Sequence, residues 1–346
     1  MAEPVRINLA LQGGGAHGAF TWGVLDRLLE EERIEIAAVS GTSAGALNGA
    51  ALKSGWLEDG RAGAKARLDW TWRQIGALDD MALPAWMHPW LPDPGMVSRS
   101  VEYSLPYVMG EAVGRMVSPY AWGPLYDNPL KKVVEAFDFG KVCALEGPAL
   151  FICATNVRNG KVRVFSGNDI TTRSILASAC LPTLFQAVEL TDPVTGTVEA
   201  FWDGGYSGNP ALFPLYEPEL PDDLVIVNIN PLYREKLPVT PPEIQNRINE
   251  ISFNSSLLRD LRAINFVQRL IQDGAIREGA MKRLRVHMVS DDTLMNELSV
   301  ATKMVAVPSV IAQLKEAGRR AAGQFLADHF DDLGTRQSAD LRAMFD

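Results

Sequence analysis

The pattern of hydrophobic and polar positions near the start of the chain predicts a strand, a helix, a second strand and a second helix. Residues 6–12 form a short and mostly apolar segment, which is typical of a buried strand. After a run of glycines, apolar residues recur at helical spacing from Phe20 to Leu29. Residues 34–40 predict the second strand and residues 44–53 the second helix. This order is typical of an α/β fold with a largely parallel sheet.

The second half of the chain continues the alternation of strands and helices. Asn159-Gly160 lies between two strand patterns and predicts a tight hairpin turn. A later hairpin pattern delivers Asp203 at the end of its second strand. The predicted strands cover residues 149–158, 161–166, 189–202, 224–230 and 284–290. The predicted helices cover residues 171–180, 243–273 and 308–330, and the polar residues after them are expected to fray.

Composition and charge narrow the class of partner. With 346 residues, of which 47% are hydrophobic, the chain can bury a substantial core. Its net charge of −9 argues against a nucleic-acid partner and against electrostatic docking to an anionic membrane. We find no apolar run of about 18 residues and no signal-peptide pattern, so neither a transmembrane helix nor secretion is expected. Cys143, Cys153 and Cys180 lack metal or disulfide spacing and favour reduced thiols in a cytoplasmic protein.

Gly41-x-Ser43-x-Gly45 lies between the second strand and the second helix, which is the context that a nucleophile elbow requires. Small flanking residues matter because the serine backbone is strained there, and a Cβ at either glycine would collide with neighbouring chain. The following helix directs its N-terminal N–H groups toward the serine oxygen. A helix N-cap serine is the alternative, and the strand-turn-helix context favours the nucleophile.

The glycine run satisfies the pattern GxGxxG at Gly13, Gly15 and Gly18, which also occurs in dinucleotide-binding proteins. A dinucleotide site needs an acidic residue at the end of the second strand. Here that strand ends in Ser40-Gly41 and runs into the serine turn, so the carboxylate is missing. Bare glycine N–H groups at a helix N-terminus can instead stabilise an oxyanion, and this is the role we expect.

Asp203-Gly204-Gly205 is the candidate source of a general base. Asp-Gly usually marks nothing more than a turn. Its position after a strand, followed by a second shaped loop ending at Pro210, favours a functional carboxylate. A serine needs such a proton acceptor to become a nucleophile. The alternative base is His287, which would complete a Ser-Asp-His triad of the α/β-hydrolase type.

The three motifs together resemble the patatin-like phospholipase family, in its bacterial type. The resemblance rests on the glycine loop, the serine turn and the late Asp-Gly-Gly, with further likeness in segments 178–185 and 203–210. It covers roughly residues 5–230. It implies a three-layer α/β/α fold with a mainly parallel central sheet. It also implies a lipid acyl hydrolase, of the phospholipase A or lysophospholipase type, that needs no cofactor and no metal.

The resemblance further implies a Ser-Asp dyad. Ser43 would attack the ester carbonyl and Asp203 would accept its proton, leaving an acyl-enzyme for water to hydrolyse. The backbone N–H groups of Gly13, Gly14 and Gly15 would hold the oxyanion. Further glycines that support the motifs are Gly18, Gly41, Gly45, Gly204 and Gly205. Three alternatives remain: another carboxylesterase or polyester depolymerase with the same dyad, a triad esterase, and a lipid-binding module without activity.

The expected organisation is a catalytic domain over residues 5–230 and a C-terminal helical extension, residues 231–346, packed on the same domain. Residues 56–130 are rich in tryptophan and methionine, and we interpret them as an insert of short helices and loops. It forms either ordinary core helices or an acyl-chain pocket or lid, with Trp86 and Trp90 near its lipid-facing edge. The expected partner is a lipid ester, with transient contact at a membrane surface by a cytoplasmic protein and no nucleic acid.

Overall fold

The central feature is one mixed sheet with helices on both of its faces. The computed structural model describes residues 3–76, 91–121, 128–192, 196–277 and 279–345. The strands within these ranges are β1 (Val5–Leu11), β2 (Ile34–Thr42), β3 (Ala149–Asn156), β4 (Val162–Ser166), β5 (Val188–Thr191), β6 (Val198–Asp203), β7 (Asp223–Val227) and β8 (Arg285–Val289). The sheet order is β5-β6-β3-β2-β1-β7-β8, and β4 pairs with β3. The expected α/β fold with a mainly parallel sheet is confirmed.

The helices between these strands complete the outer layers. The longer ones are α1 (Gly18–Leu28), α2 (Ala44–Gly76), α4 (Leu105–Met116), α8 (Pro241–Gln272) and α11 (Pro308–His329). The shorter ones are α3 (Pro94–Glu102), α5 (Lys131–Glu135), α6 (Phe139–Val142), α7 (Thr172–Ser178), α9 (Asp292–Glu297), α10 (Val300–Met304) and α12 (Leu341–Phe345). Both predicted hairpins and the later strands and helices are present, with bounds that differ from prediction by a few residues.

Strand direction brings the motifs to one edge of the sheet. The strands β3, β2, β1, β7 and β8 are parallel neighbours, so their carboxyl ends lie together. The glycine loop follows β1 and Ser43 follows β2. β6 runs antiparallel to β3, with Asp203 opposite Ala154. The carboxyl edge of a parallel sheet is where such folds place their ligands.

The side chains of alternating β1 residues pack into two separate hydrophobic cores, one on each face of the sheet. Leu9 and Leu11 are fully buried in a large cluster with α1, α2 and α11. Ala10, between them, belongs to a second cluster with Leu257 and Leu261 of α8. Because successive strand residues point to opposite faces, this division confirms three layers with β1 at the centre.

Helix α2 is longer than the sequence pattern predicts. We expected a helix only to Lys53 and short pieces beyond residue 56, but α2 continues to Gly76 across a kink at Asp59 and Gly60. Packing explains the difference, because Trp72 is buried and stacks on Trp22 at a ring distance of 6.3 Å. In the described part of the insert beyond α2, the short helices α3 and α4 begin at Pro94 and Leu105. Trp86 and Trp90 lie outside the described residues.

The residues beyond 230 are part of the same sheet and core. β8 pairs with β7, and α11 packs against α1 so closely that a Cβ on Gly23 would overlap the carbonyl of Lys315. The expected fraying after α11 is wrong, because Leu341 of α12 is fully buried against α8. Among the described residues, we find no helix with the length and apolar character to cross a bilayer.

Candidate active site

Ser43 stands at the turn between β2 and α2 with a left-handed backbone, φ +54°. Among the described non-glycine residues, no other has a positive φ. Such a conformation costs on the order of 1–2 kcal/mol, so the surrounding chain must impose it. A Cβ on Gly41 would overlap the carbonyl of Gly45, and one on Gly45 would overlap the carbonyl of Leu11. The two glycines therefore allow the close turn that carries Ser43, as the sequence pattern predicts.

A second serine fixes the amide of this turn. The N–H of Ser43 donates to Ser178 Oγ at 2.9 Å, and the Ser178 hydroxyl donates to the carbonyl of Cys153 at 2.6 Å. The sequence analysis did not single out Ser178 as a supporting residue. Its signal was present, since it opens the Ser-Ala-Cys-Leu-Pro segment at the end of α7. Ser178 thus links α7 and β3 to the serine turn.

The glycine loop lies against the serine turn. A Cβ on Gly13 would lie 2.9 Å from the carbonyl of Thr42, within the serine turn. Gly15 has φ +58°, and a Cβ there would overlap the carbonyl of Lys303 in α10. The loop then enters the 3₁₀ turn Gly15–His17 and α1. Side chains are therefore excluded at both ends of the loop, which leaves its backbone bare beside Ser43.

The structure removes Gly13 from the predicted set of oxyanion donors. Its N–H already donates to Asn209 Oδ1 at 2.7 Å, so it ties the glycine loop to the segment after Asp203. The N–H groups of Gly14 and Gly15 donate no hydrogen bond to any group in the described part of the chain. Two adjacent amide donors thus remain open at the start of the helical segment.

Asp203 ends β6 in a buried position, 1% exposed. Its Oδ1 accepts a hydrogen bond from the N–H of Gly205 at 2.8 Å. Burial raises the pKa of Asp203 to about 7, although the Gly205 N–H and the nearby Ser43 hydroxyl both act to lower it. The second oxygen, Oδ2, is buried and accepts no hydrogen bond from any described group. One carboxylate oxygen is therefore held, and the other is available to a proton donor such as Ser43.

The two glycines after Asp203 are required by close packing. A Cβ on Gly204 would overlap the carbonyl of Cys153 and lie 2.9 Å from Cγ2 of Thr42, one residue before the serine. A Cβ on Gly205 would overlap the ring of Phe253 in α8. The Asp-Gly-Gly motif thus sits between the serine turn and α8. The structure brings the three sequence motifs to one place.

His287 is directed elsewhere. It is buried in β8, with Nε2 at 3.1 Å from Asp223 Oδ1 and Nδ1 at 3.0 Å from Ser338 Oγ. Both ring nitrogens are thus occupied within the β7–β8 region. The other histidine near the site, His17, bonds Thr302 and has a pKa well below its usual value because of burial. The geometry disfavours a histidine base for Ser43.

The thiol of Cys180, close to Asp203, favours its neutral form. Burial and the adjacent Asp203 charge raise the pKa of Cys180 to about 12, so its thiol stays protonated.

The three cysteines, Cys143, Cys153 and Cys180, are all unbonded to one another, as predicted. Within the described ranges, we find no grouping of three His, Cys, Asp or Glu side chains that could hold a metal ion.

The family assignment follows from a sequence profile described as patatin-like phospholipase, which matches residues 9–216. The chain belongs to the patatin-like phospholipase family. The matched range contains the glycine loop, Ser43 and Asp203, and it spans β1 to the residues before β7. Membership in this family makes the protein a hydrolase of lipid esters. No curated protein sequence gave a significant match.

Two solved structures show distant similarity to this patatin-like chain. The crystal structure of VipD from Legionella pneumophila is 15% identical, covering 94% of this chain and 67% of that one, with a TM-score of 0.43. The heterodimeric ExoU-SpcU complex from the type III secretion system of Pseudomonas aeruginosa is 18% identical, covering 95% and 61%, with a TM-score of 0.31. The chain thus spans about two thirds of the first structure's length and about three fifths of the second's. Neither substrate nor partner follows from similarity at this level.

Proposed function

We propose that this protein is a lipid acyl hydrolase, of the phospholipase A or lysophospholipase type, that cleaves carboxylic esters with a Ser43–Asp203 dyad. The observation that carries the proposal is the meeting of Ser43, Asp203 and two open glycine amides at one edge of the sheet. A nucleophile, a base and oxyanion donors are the three parts that acyl transfer needs. Both oxygens of the dyad lie in buried surroundings, which strengthens electrostatic interactions between them.

In the first step, Ser43 Oγ attacks the ester carbonyl while its proton passes to Asp203 Oδ2. The pKa of about 7 leaves a substantial fraction of Asp203 ionised at neutral pH, and makes it a stronger base than an ordinary carboxylate. The negative charge that develops on the carbonyl oxygen accepts hydrogen bonds from the N–H groups of Gly14 and Gly15. The N-terminus of α2 adds its positive dipole end.

In the second step, the tetrahedral intermediate collapses and the bond to the leaving alcohol breaks. The alcohol takes the proton from Asp203, and the acyl group remains on Ser43 Oγ as an ester. Water then loses a proton to Asp203 and attacks this ester. The second collapse returns the proton to Ser43 and releases the carboxylic acid. No residue beyond the dyad is needed to balance the protons.

Helix α4 supports contact with a lipid surface. Its exposed apolar side chains share one helix face: Leu105, Val108, Met109, Val113 and Met116. On one side, Ser98 of α3 donates to Ser299 Oγ at 3.0 Å, next to α10 and the glycine loop. On the other side, Tyr120 Oη accepts from the N–H of Ala187 at 3.0 Å, just before β5. The helix therefore bridges two segments that flank the candidate site, where an aggregated substrate would approach.

Labelling by a fluorophosphonate, followed by peptide mapping, tests the nucleophile. We expect the label on Ser43 in the wild type and none in Ser43→Ala. Ser54→Ala is the matched control, since Ser54 is also buried, in the same helix α2, and should leave labelling unchanged. Equal labelling of the Ser43→Ala protein would overturn the dyad.

Product analysis separates the proposed activity from the runner-up. A mixed phospholipid extract treated with the wild type should yield free fatty acid and lysolipid or glycerophosphodiester, whereas Ser43→Ala should yield neither. Soluble hydroxyacid products from a polyester, with no attack on phospholipid, would instead identify a depolymerase that uses the same dyad. An unlabelled, inactive wild type that still binds lipid vesicles would indicate a binding module.

A further inference from the structure

The direction of each open N–H group in the glycine loop is fixed by the hydrogen bonds to the carbonyl of the same peptide unit. In a trans peptide the C=O and the N–H of one unit point in opposite directions. The N–H of Gly14 belongs to the unit whose carbonyl is that of Gly13. This carbonyl accepts a short hydrogen bond from Asn230 Nδ2 at 2.8 Å and a longer one from Asn209 Nδ2 at 3.5 Å. Asn230, in the loop after β7, therefore fixes the direction of the Gly14 donor from the opposite side.

The orientation of the Asn230 amide is itself determined by its neighbours. Lys303 Nζ donates to Asn230 Oδ1 at 2.9 Å, and an ammonium group offers only donors. The carbonyl side of the Asn230 amide must therefore face Lys303, which turns the NH₂ group toward Gly13. The second Nδ2 proton is taken by Gln12 Oε1 at 3.1 Å. With the opposite orientation, the amide would present an oxygen to the Gly13 carbonyl and would release the loop.

Lys303 contacts the loop a second time and is held by a buried charge cluster. Its backbone carbonyl occupies the space where a Gly15 side chain would lie. The carboxylate of Glu250 in α8 acts to raise the pKa of Lys303 and is itself bound by Arg234 at 2.6 Å and 2.8 Å. Burial lowers the pKa of Lys303 to about 8, so placing this charge here costs stability. A half-buried lysine whose charge costs stability is well explained if it orients another group.

We propose that Asn230 and Lys303 are positioning residues for the oxyanion site, which they orient through the Gly13–Gly14 peptide. This inference rests on the proposed function, because it gives the Gly14 N–H the role of an oxyanion donor. Neither residue touches the substrate. Their effect is on the angle and position of a donor whose complete removal in such sites costs about a hundredfold to a thousandfold in rate.

The deciding variant is Asn230→Asp, which has nearly the same shape and still accepts from Lys303 but cannot donate to the Gly13 carbonyl. We expect kcat on a short soluble ester to fall by about tenfold to a hundredfold with KM within about twofold, because the lost alignment matters mainly in the transition state. Asn8→Asp is the matched control. Asn8 is also fully buried in β1 and donates to a backbone carbonyl, that of Pro221, at 2.7 Å, but near the amino end of the sheet. It should lower the melting temperature and leave kcat unchanged.

Lys303→Met provides a second, independent test, because methionine fills the space but cannot donate to Asn230. It should show the same loss of kcat, and it decides the question if Asn230→Asp fails to fold. A folded variant with kcat within twofold of the wild type would overturn the inference, as would an equal loss of kcat in Asn8→Asp. Ser43→Ala separates the two levels of the argument: if it retains activity, the proposed function fails, whatever Asn230→Asp does.

Discussion

A Cβ placed on Gly13 would lie 2.8 Å from the Cβ of Ser43, although the two residues belong to different strand-to-helix connections. Real Cβ atoms do not approach so closely, so either the loop or the serine turn would have to move. The same loop residue is tied by its N–H to Asn209, beyond Asp203. Gly13 is thus the point at which all three motifs are joined, although it donates nothing to the substrate.

Replacing Gly13 by alanine should therefore impair catalysis more than folding. The added methyl group displaces Ser43 or the neighbouring amides, and a displacement of about 1 Å costs about a hundredfold in rate. Gly323→Ala is the control, since a Cβ there meets no atom within 4 Å in helix α11. Alanine at position 323 should be fully active and about 0.5–1 kcal/mol more stable. Steady-state kinetics and thermal melting on both variants check this, and an active Gly13→Ala would contradict it.

The activity should depend on a single ionisation near neutral pH. Burial raises the pKa of Asp203 to about 7, and only the ionised carboxylate can take the serine proton. The value of kcat/KM on a soluble ester should therefore rise with pH through about 7 and then level off. Asp203→Asn should be inactive at every pH. A pH profile whose lower limb lies near 4, in a folded and active wild type, would show that the base is not this carboxylate.

Asp203→Asn should also be more stable than the wild type at pH 8. The folded state binds the Asp203 proton more tightly than the unfolded chain, so the stability it contributes is present below about pH 4 and lost as pH rises through about 7. Asparagine stays neutral throughout. Its melting temperature should exceed that of the wild type at pH 8 and approach it at pH 5. A variant that melts below the wild type at both values would exclude this account.

His287→Ala should keep most of the activity and lose stability. The imidazole bridges Asp223 and Ser338 in the core, and its removal leaves Asp223 with one partner fewer, at a cost of about 2–4 kcal/mol. Although burial raises it, hydrogen bonds from His287 and Arg285 bring the pKa of Asp223 to about 2. Wild-type stability from this carboxylate is thus present above about pH 4 and lost as pH falls toward 2. Ester hydrolysis at pH 7 by His287→Ala, and melting of the wild type between pH 4 and pH 2, test both statements. An inactive but folded His287→Ala would restore the triad.

A charge on the exposed face of α4 should weaken attack on aggregated lipid alone. Met109→Asp places a carboxylate on the apolar stripe and should lower hydrolysis of phospholipid vesicles by about fivefold or more, since burying an unpaired charge in lipid is costly. Leu145→Asp is the control, because Leu145 is more exposed but lies before β3, near the opposite edge of the sheet. A short soluble ester should be cleaved equally by all three proteins. Equal losses on both substrates would count against the lipid contact.

The sequence was most informative where a function depends on neighbouring residues. The serine turn, the glycine loop and the Asp-Gly-Gly segment each have a short local pattern, and the resemblance to the patatin-like family implied that they act together. The occupation of the Gly13 amide could not be predicted, because its acceptor Asn209 lies 196 positions away. The same holds for Lys303, which reaches the loop through Asn230 across 73 positions. Such long-range contacts have no periodic or spacing signal.

Helix α2 shows the other limit of sequence patterns. Gly60 has a left-handed φ of +55° and was expected to lie in an irregular insert. The chain resumes helix after it because Leu68 and Trp72 find places in the core. Tertiary packing thus overrides a local break that sequence alone could not distinguish from an end.

The backbones of α11 and α1 are in direct contact. A Cβ on Gly23 of α1 would overlap the carbonyl of Lys315, and a Cβ on Gly318 of α11 would overlap the carbonyl of Phe20. Yet α11, β7 and β8 all come from beyond residue 216, as do Asn230 and Lys303. A fragment trimmed to the profile-matched stretch would expose the face of α1 that α11 covers and would lose β7, which pairs with β1, and β8, which pairs with β7. Transferring the candidate active site to another protein scaffold would therefore require the residues beyond 216 as well as the three sequence motifs.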